Sequence, residues 1–406
     1  MKTDGTGYLE TKIRRMIRRM GVMIYLDNAA TTKPKQRVVD AMMPYINMKW
    51  YNPSALYSQA KRIKDDINNA RKTVANYINV DASEIYFTSS GSESNCWAIQ
   101  GFVNRCIARG MKPCVITSII EHKSILECVD NLNNVDVHYI GVDKEGFINI
   151  AQLRNVLFHA KCICNEEVLV SIQFANNEIG TIQHIKDIAT EVHRFNGVFH
   201  TDAVQAFGHI PIDIQELNID MMTASGHKIG TPKGVGFLYK KSSVEINPLI
   251  YGSQMDGMRG GTENVPYIIG MAKAVDLVRR DEEYQLRLTI LRNNFIAQLK
   301  ALGCSVNGSV EYRLPNNINI TFPQNVTGEA IVYGLDTSGI YIGTGSACNS
   351  NSIEASHVLK AIGLSDKDAY KTIRITLPDD ITMDKIDETV QEISKQIQLL
   401  TMEVTL

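Results

Sequence analysis

Cysteine is scarce in this chain of 406 residues: eight in all, Cys96, Cys106, Cys114, Cys128, Cys162, Cys164, Cys304 and Cys348, with no CxxC pair. A disulfide scaffold and a zinc ribbon are excluded on that count, and no metal site is expected. Long hydrophobic runs are missing as well. No apolar stretch approaches the roughly 18 to 20 residues that span a bilayer, and the first residues lack the apolar core of a secretory signal. The expectation is a cytoplasmic protein with no membrane partner. An excess of charge of one sign is also absent: 42 Lys and Arg face 44 Asp and Glu, a net of -2, so nothing draws the whole chain directly to nucleic acid. With 28 Gly and 11 Pro it is neither collagen-like nor compositionally disordered.

What is present is the composition of a folded protein, 44% hydrophobic and 21% charged, and its length exceeds one ordinary core. Two domains, or one large α/β enzyme domain with an appendage, are expected. Residues 1–23 stand apart as a basic extension. Lys2, Lys12, Arg14, Arg15, Arg18 and Arg19 face only two acidic residues there, and Ile13, Met16, Ile17 and Met20 fall on one helix face. A basic amphipathic helix that touches a membrane surface or an acidic partner fits this pattern, and so does a frayed extension ahead of Met23.

From Ile24 onward short apolar runs alternate with amphipathic helical stretches, the pattern of βαβ units. Runs rich in β-branched and aromatic residues predict strands at 84–88 (EIYFT), 113–118 (PCVITS), 135–140 (VDVHYI), 168–173 (VLVSIQ), 198–201 (VFHT), 221–224 (MMTA) and 234–239 (GVGFLY). The fold class is α/β, with a mostly parallel seven-stranded sheet in a large domain over 24–270, whose first residues are candidates for packing with the smaller domain. Near Gly270 the texture changes to a long helix in which Leu288, Leu291, Phe295, Leu299 and Leu302 repeat at three and four residues. Residues 271–406 are expected to form this linking helix and a smaller α+β domain that carries a cysteine loop.

Four stretches carry chemistry. Ser225-Gly226-His227-Lys228 follows a buried strand and precedes a Gly-rich turn. A lysine so placed loses solvent and part of its basicity, and can bind a carbonyl cofactor covalently, although a surface lysine fits the tetrapeptide equally well. Asp202 closes the apolar run 198–203 (VFHTDA), at the strand end where open sheets bind ligands. Paired with the lysine it is suited to keep a pyridinium nitrogen protonated, as pyridoxal phosphate (PLP) requires; alternatively it caps a helix. The stretch 88–95 (TSSGSESN) leads from a strand into a helix, so Gly91 and Ser92 can present N–H and hydroxyl groups to a phosphate, or form a simple capping turn. No Gly-Lys-Ser/Thr follows, which disfavours a nucleoside triphosphate. Finally, Cys348 is embedded in Gly, Ser and Asn over 343–352 rather than in apolar neighbours, which suits a nucleophile on a polar loop. Cys162 and Cys164 are candidates for adventitious redox or metal chemistry.

Together these pieces resemble the cysteine desulfurases, the NifS/IscS-like branch of the fold-type I PLP enzymes in aminotransferase class V. The resemblance runs from Ile24 to the last helix on ten motifs in order: 25–32 (YLDNAATT), 52–58 (NPSALYS), 87–94 (FTSSGSES), 121–124 (EHKS), 176–180 (NNEIG), 200–205 (HTDAVQ), 225–228 (SGHK), 259–265 (RGGTENV), 345–348 (GSAC) and 372–376 (TIRIT). It implies that Lys228 binds the cofactor carbonyl, Asp202 its ring nitrogen and Gln205 its phenolic oxygen, with His122 stacked on the ring. It implies phosphate contacts from Gly91, Ser92, Ser225 and His227, with Thr262 supplied by the neighbouring subunit of a homodimer. Asn177 is placed near the cofactor, and with Arg374 it would receive the α-carboxylate of L-cysteine. Cys348 would accept the sulfur as a persulfide and hand it to an acceptor protein, an iron–sulfur scaffold or a thiolation enzyme, leaving L-alanine.

The chain departs from the pattern at Gly230, where many relatives have an aromatic residue, at Cys96, often Asn, and at Tyr57, often His. The first change is expected to loosen packing beside the cofactor. The GSAC context is that of the branch with a long cysteine loop, which implies activity without an activating partner. The few residues after the final helix imply a short docking tail, which leaves the acceptor open. A selenocysteine lyase, an aminotransferase and a non-catalytic scaffold on the same fold are the competing readings; an aminotransferase gives Cys348 no task, and a scaffold needs none of these residues.

Overall fold

The computed structural model describes residues 23–279, 281–323, 326–344, 346–349 and 352–402, with backbone alone at 346–349, 352–354 and 402. Residues 1–22 of the basic extension, for which a helix and a frayed segment both fit the sequence, lie outside the described residues. In chain order the first strands are β1 (Ile24–Tyr25), β2 (Ile85–Thr88), β3 (Pro113–Ser118), β4 (Asp136–Ile140), β5 (Glu167–Ser171), β6 (Val198–Asp202), β7 (Met221–Ser225) and β8 (Gly236–Lys240). All but β1 join one seven-stranded sheet in the order β2-β8-β7-β6-β5-β3-β4. The pairs from β7 through β6, β5 and β3 to β4 are parallel, whereas β8 runs antiparallel to both β2 and β7. Helices cover this sheet, so β2, β3, β7 and β8 are buried at every position. That two-sided burial explains why these strands read as continuous apolar runs rather than as alternations.

The strand boundaries shift slightly from the expected ones, for local reasons. The run at 84–88 starts as strand only at Ile85, because Ala82–Glu84 forms a 3-10 turn whose N–H at Ser83 is capped by Asp81. The run at 234–239 becomes strand only at Gly236, since Gly234 has φ +110, outside the strand region.

A second, smaller sheet contains β9 (Ser305–Val306), β10 (Asn317–Thr321), β12 (Gly343–Thr344) and β15 (Thr372–Thr376), in the order β12-β15-β10-β9; β11 (Ile340–Tyr341) pairs instead with β1. Between them β13 (Ser346–Asn349) and β14 (Ser352–Ala355) form an antiparallel hairpin in which Cys348 faces Ile353. The large hydrophobic core runs to Val275 in the helix Val265–Asp276 and takes in Leu314 further on, whereas Tyr284 and the following buried residues of the helix Glu282–Ala301 belong to a separate core. Gly270 lies inside the first of these helices, packed so that a Cβ would meet Met42 Sδ at 2.7 Å. Ile24 and Leu26 belong to the smaller core, tied there by the parallel pairing of Ile24 with Ile340. The chain thus starts in one unit, builds the other, and returns, which brings the 25–32 segment to the seam between the two.

Candidate active site

Asp202 stands at the end of β6, and Ser92, His122 and Lys228 follow β2, β3 and β7, on the side of the large sheet where open α/β folds bind ligands. After β2, Ser90 caps the 18-residue helix Gly91–Ala108: its Oγ accepts the N–H of Glu93 at 3.2 Å. Glu93 reaches back to the N–H of Ser89 at 2.7 Å and is gripped by Arg259 Nε at 2.9 Å. This capping box fixes the helix end, whose first residues, Gly91 and Ser92, line the cavity. After β7 a tight 3-10 turn, Gly226–Lys228, delivers His227 and Lys228 into the same space. His227 is neutral at ordinary pH, because burial, with the charges of Lys228 and Lys233 added, holds its pKa down to about 4.

Lys228 Nζ donates to the carbonyls of Ala29, at 2.5 Å, and Ala30, at 2.8 Å. Burial lowers its pKa to about 8; Arg374 pushes the same way and Asp27 and Asp202 oppose. An amine so tuned has an appreciable neutral, nucleophilic fraction near neutral pH. Asp202, the last residue of β6, accepts the N–H of Val204 at 2.9 Å and the amide of Asn95 at 2.8 Å. Asn95 also donates to Ser124 Oγ at 2.9 Å, and Ser124 Oγ lies 2.9 Å from His122 Nδ1. His122 is itself the N-cap of the helix Lys123–Asp130, its Nδ1 accepting the N–H of Ser124 at 3.1 Å. That bond leaves the proton of the neutral ring on Nε2. Gln205 is held through its amide to the carbonyl of Ala29 at 3.0 Å.

Arg374 reaches in from β15 of the smaller sheet. Its Nη2 donates to Asp27 Oδ1 at 2.6 Å and its Nη1 to the carbonyl of Asn177 at 3.3 Å, while Nε is buried without a partner. A guanidinium with a donor left over is suited to a further carboxylate.

Gly91, Ser92, His122, Asn177, Asp202, Gln205, Ser225, His227, Lys228 and Arg374 therefore line one cavity of about 430 Å³. Thr262 does not line it; it is exposed, on the loop after Arg259. Cys348 lies on β13, with its side chain outside the described residues. Gly230, where the sequence departs from its relatives, has φ +97, and the stem of Lys35 crosses it so closely that a Cβ would meet Lys35 Cγ at 2.7 Å. Lys35 continues to Asp379 at 3.2 Å, and a second cavity of about 180 Å³ opens beside the pair. Sequence reasoning missed Asp27, Asn95 and Ser124 as parts of the site. Asp27 and Asn95 sit within or beside motifs already noted, but each acts through a partner far away in the chain, which no spacing rule announces.

The donor set fits PLP: N–H and hydroxyl donors at a helix N-terminus for a phosphate, a buried carboxylate for a ring nitrogen, an aromatic ring, and an amine of lowered basicity for a carbonyl. The model of the aminotransferase class-V family matches residues 24–388. A cysteine desulfurase IscS of Methanosarcina thermophila is 43% identical over 385 residues, which cover 93% of this chain and 92% of that protein. A cysteine desulfurase IscS of Clostridium botulinum is 40% identical over 387 residues, 93% of this chain and 95% of its own. Among solved structures, a NifS-like protein superposes with a TM-score of 0.85 at 33% identity, covering 93% of this chain and 100% of the other. SspA in complex with cysteine gives a TM-score of 0.77 at 35% identity, with 88% and 99% covered. On these matches and this site, the chain belongs to the cysteine desulfurases of the aminotransferase class-V family, PLP-dependent enzymes of fold-type I.

Proposed function

We propose that the chain converts L-cysteine to L-alanine and passes the sulfur to Cys348 as a persulfide, from which a partner protein takes it. The observation that carries this reading is the single cavity shared by the Lys228 amine, the Asp202 carboxylate, the His122 ring and the partly free Arg374 fork. Lys228 would hold the cofactor carbonyl and Asp202 would keep its ring nitrogen protonated. His122 would stack on the ring and Gln205 would meet the phenolic oxygen. Gly91, Ser92, Ser225 and His227 would hold the phosphate. Bound PLP supplies a sink for the electron pair left when the Cα proton is removed.

The residues of the chain do the rest. Arg374 and Asn177 would receive the substrate α-carboxylate, and the Lys228 amine would take the Cα proton. The Cys348 thiolate attacks the substrate sulfur, so that a sulfur–sulfur bond forms as the Cβ–S bond breaks. The electron pair of the broken bond goes to the carbon side, which takes up one proton at Cβ, regains at Cα the proton held by Lys228, and leaves as alanine. His122 moves protons at the substrate sulfur or the thiol. The cysteine bound in the SspA complex supports this substrate. Thr262, exposed and outside its own cavity, suits a phosphate contact in a neighbouring subunit, which makes the working unit a homodimer. The acceptor is an iron–sulfur scaffold or a thiolation enzyme, and the reducing cytoplasm suits a working thiol.

Alanine release from L-cysteine tests the reading, with Lys228→Ala and Cys348→Ser alongside the parent. Loss of roughly a hundredfold or more is expected in both variants. Parental release from Cys348→Ser would make that cysteine structural and move the reading to a selenocysteine lyase or an aminotransferase, which selenocysteine and a keto acid as substrates then separate.

A further inference from the structure

The hairpin that carries Cys348 has two roots. On the N-terminal side, Gly343 of β12 is in register with Arg374 of β15, the residue whose fork faces the substrate cavity. On the C-terminal side the chain passes through Ser356 into the short helix His357–Ala361. Although this helix follows the smaller sheet in sequence, its apolar face packs elsewhere: Val358, Leu359 and Ile362 form a cluster with Ile120 and Ile179, separate from both main cores. Ile120 precedes the loop of His122, and Ile179 belongs to the turn of Asn177.

Two polar contacts fix the same junction. Ser356, 4% exposed, donates through Oγ to Glu178 Oε2 at 2.5 Å, and the same oxygen caps the helix by accepting the N–H of Val358 at 3.1 Å and of Leu359 at 3.3 Å. His357 donates from Nε2 to the carbonyl of Glu121 at 3.0 Å, one residue before His122. Glu178 in turn follows Asn177, whose carbonyl receives Arg374. The two loops are also tied to each other, since Asn176 donates to the carbonyl of Ile120 at 3.1 Å.

We infer that Ser356 and His357 are positioning residues for sulfur transfer: they hold the C-terminal root of the Cys348 hairpin against the loops of His122 and Asn177. This rests on the reading of Cys348 as the sulfur acceptor. Neither residue lines the substrate cavity, so their loss acts on where the hairpin stands and not on how L-cysteine binds. Glu178 shares that function as the acceptor for Ser356, and a carboxylate acceptor makes the bond stronger than one between neutral groups.

Holoenzyme carrying His357→Ala, His357→Gln or Ser356→Ala is compared with the parent in two steps on one sample. The visible absorption of the bound cofactor, and its change on adding L-cysteine, reports cofactor and substrate binding. Mass spectrometry of Cys348 after rapid quenching reports sulfur transfer. The expected result is a spectral change at L-cysteine concentrations within about twofold of the parent, with transfer slowed about tenfold or more in His357→Ala and Ser356→Ala. In His357→Gln, where the amide can still donate, transfer should recover at least in part. Parental transfer rates in both alanine variants overturn the inference, and so does equal loss of the spectral change and of transfer, which marks a purely structural role. If the parent itself places no sulfur on Cys348, the underlying reading fails and takes the inference with it, a result distinct from the other two.

Discussion

Lys228 owes its reactivity to its surroundings rather than to its neighbours in sequence. Burial removes water from the ammonium, and the Arg374 charge adds to the effect, so the amine loses its proton near pH 8 instead of near 10.5. Protein freed of cofactor should therefore take up PLP slowly at pH 6.5 and faster as pH rises, with the uptake rate levelling above about pH 8 to 9. Stopped-flow absorbance at a series of pH values checks this; a profile still rising steeply at pH 10 would mean an amine of ordinary basicity. The candidate residues Lys228, Asp202 and Ser92 were legible in the sequence because each follows a recognisable apolar strand. Their supports were not. Asp27 meets Arg374 across 347 positions, and Asn95 meets Asp202 across 107. Glu121 is likewise silent in sequence, yet it is fully buried and accepts from Ser118 and Gln173, and burial pushes its carboxyl up to about 8. It is accordingly a neutral acid behind the His122 loop at pH 7.

Short elements carry the site, and their tight approaches can be tested. At Gly343 of β12 a Cβ would stand 2.9 Å from both Arg374 Nη2 and Asp27 Oδ1. Neither neighbour is at the idle end of a flexible chain, since they are hydrogen-bonded to each other. Gly343→Ala should displace the Arg374 fork and raise KM for L-cysteine about tenfold, with a smaller effect on kcat, because carboxylate binding is shared by ground and transition states. Steady-state kinetics decide; an unchanged KM would show that the pair yields without moving the fork. The seven strands of the large sheet were readable from β-branched and aromatic runs bounded by turn residues. The reversed direction of β8 was not, because a strand buried on both faces has the same composition whichever way it runs. The hairpin of β13 and β14 was also unreadable as strand: Ser, Ala and Asn make up most of it, and its pairing is not a matter of propensity.

At the scale of the whole molecule, two cores are joined by the 25–32 segment and by the small cluster around Ile120 and Ile179. Ile24 and Leu26 open the large domain in sequence and were already candidates for packing with the smaller one; the strand that pairs with them, β11, lies over three hundred positions later. Among the described residues several large apolar side chains stay in contact with water in the single chain: Leu56 is 90% exposed, Tyr251 78% and Trp50 68%. Tyr251 adjoins the loop of Thr262, with Gly260 N–H donating to the carbonyl of Ile250 at 2.8 Å. We propose that the homodimer covers these residues and brings Thr262 to the neighbouring phosphate site. Sedimentation of the parent should give a dimer. Leu56→Asp should shift it toward monomer and lower PLP retention in the same preparation, whereas a monomeric parent that holds PLP fully would remove the shared-site reading.

In the proposed reaction sulfur leaves L-cysteine for Cys348. A single turnover of PLP-loaded protein with one equivalent of L-cysteine per chain, quenched and mapped by peptide mass, measures it most directly. One alanine per chain is expected, with the added mass of one sulfur atom on the Cys348 peptide alone, among all eight cysteines. Alanine formed with no sulfur on Cys348, or with sulfur on another cysteine, would contradict it.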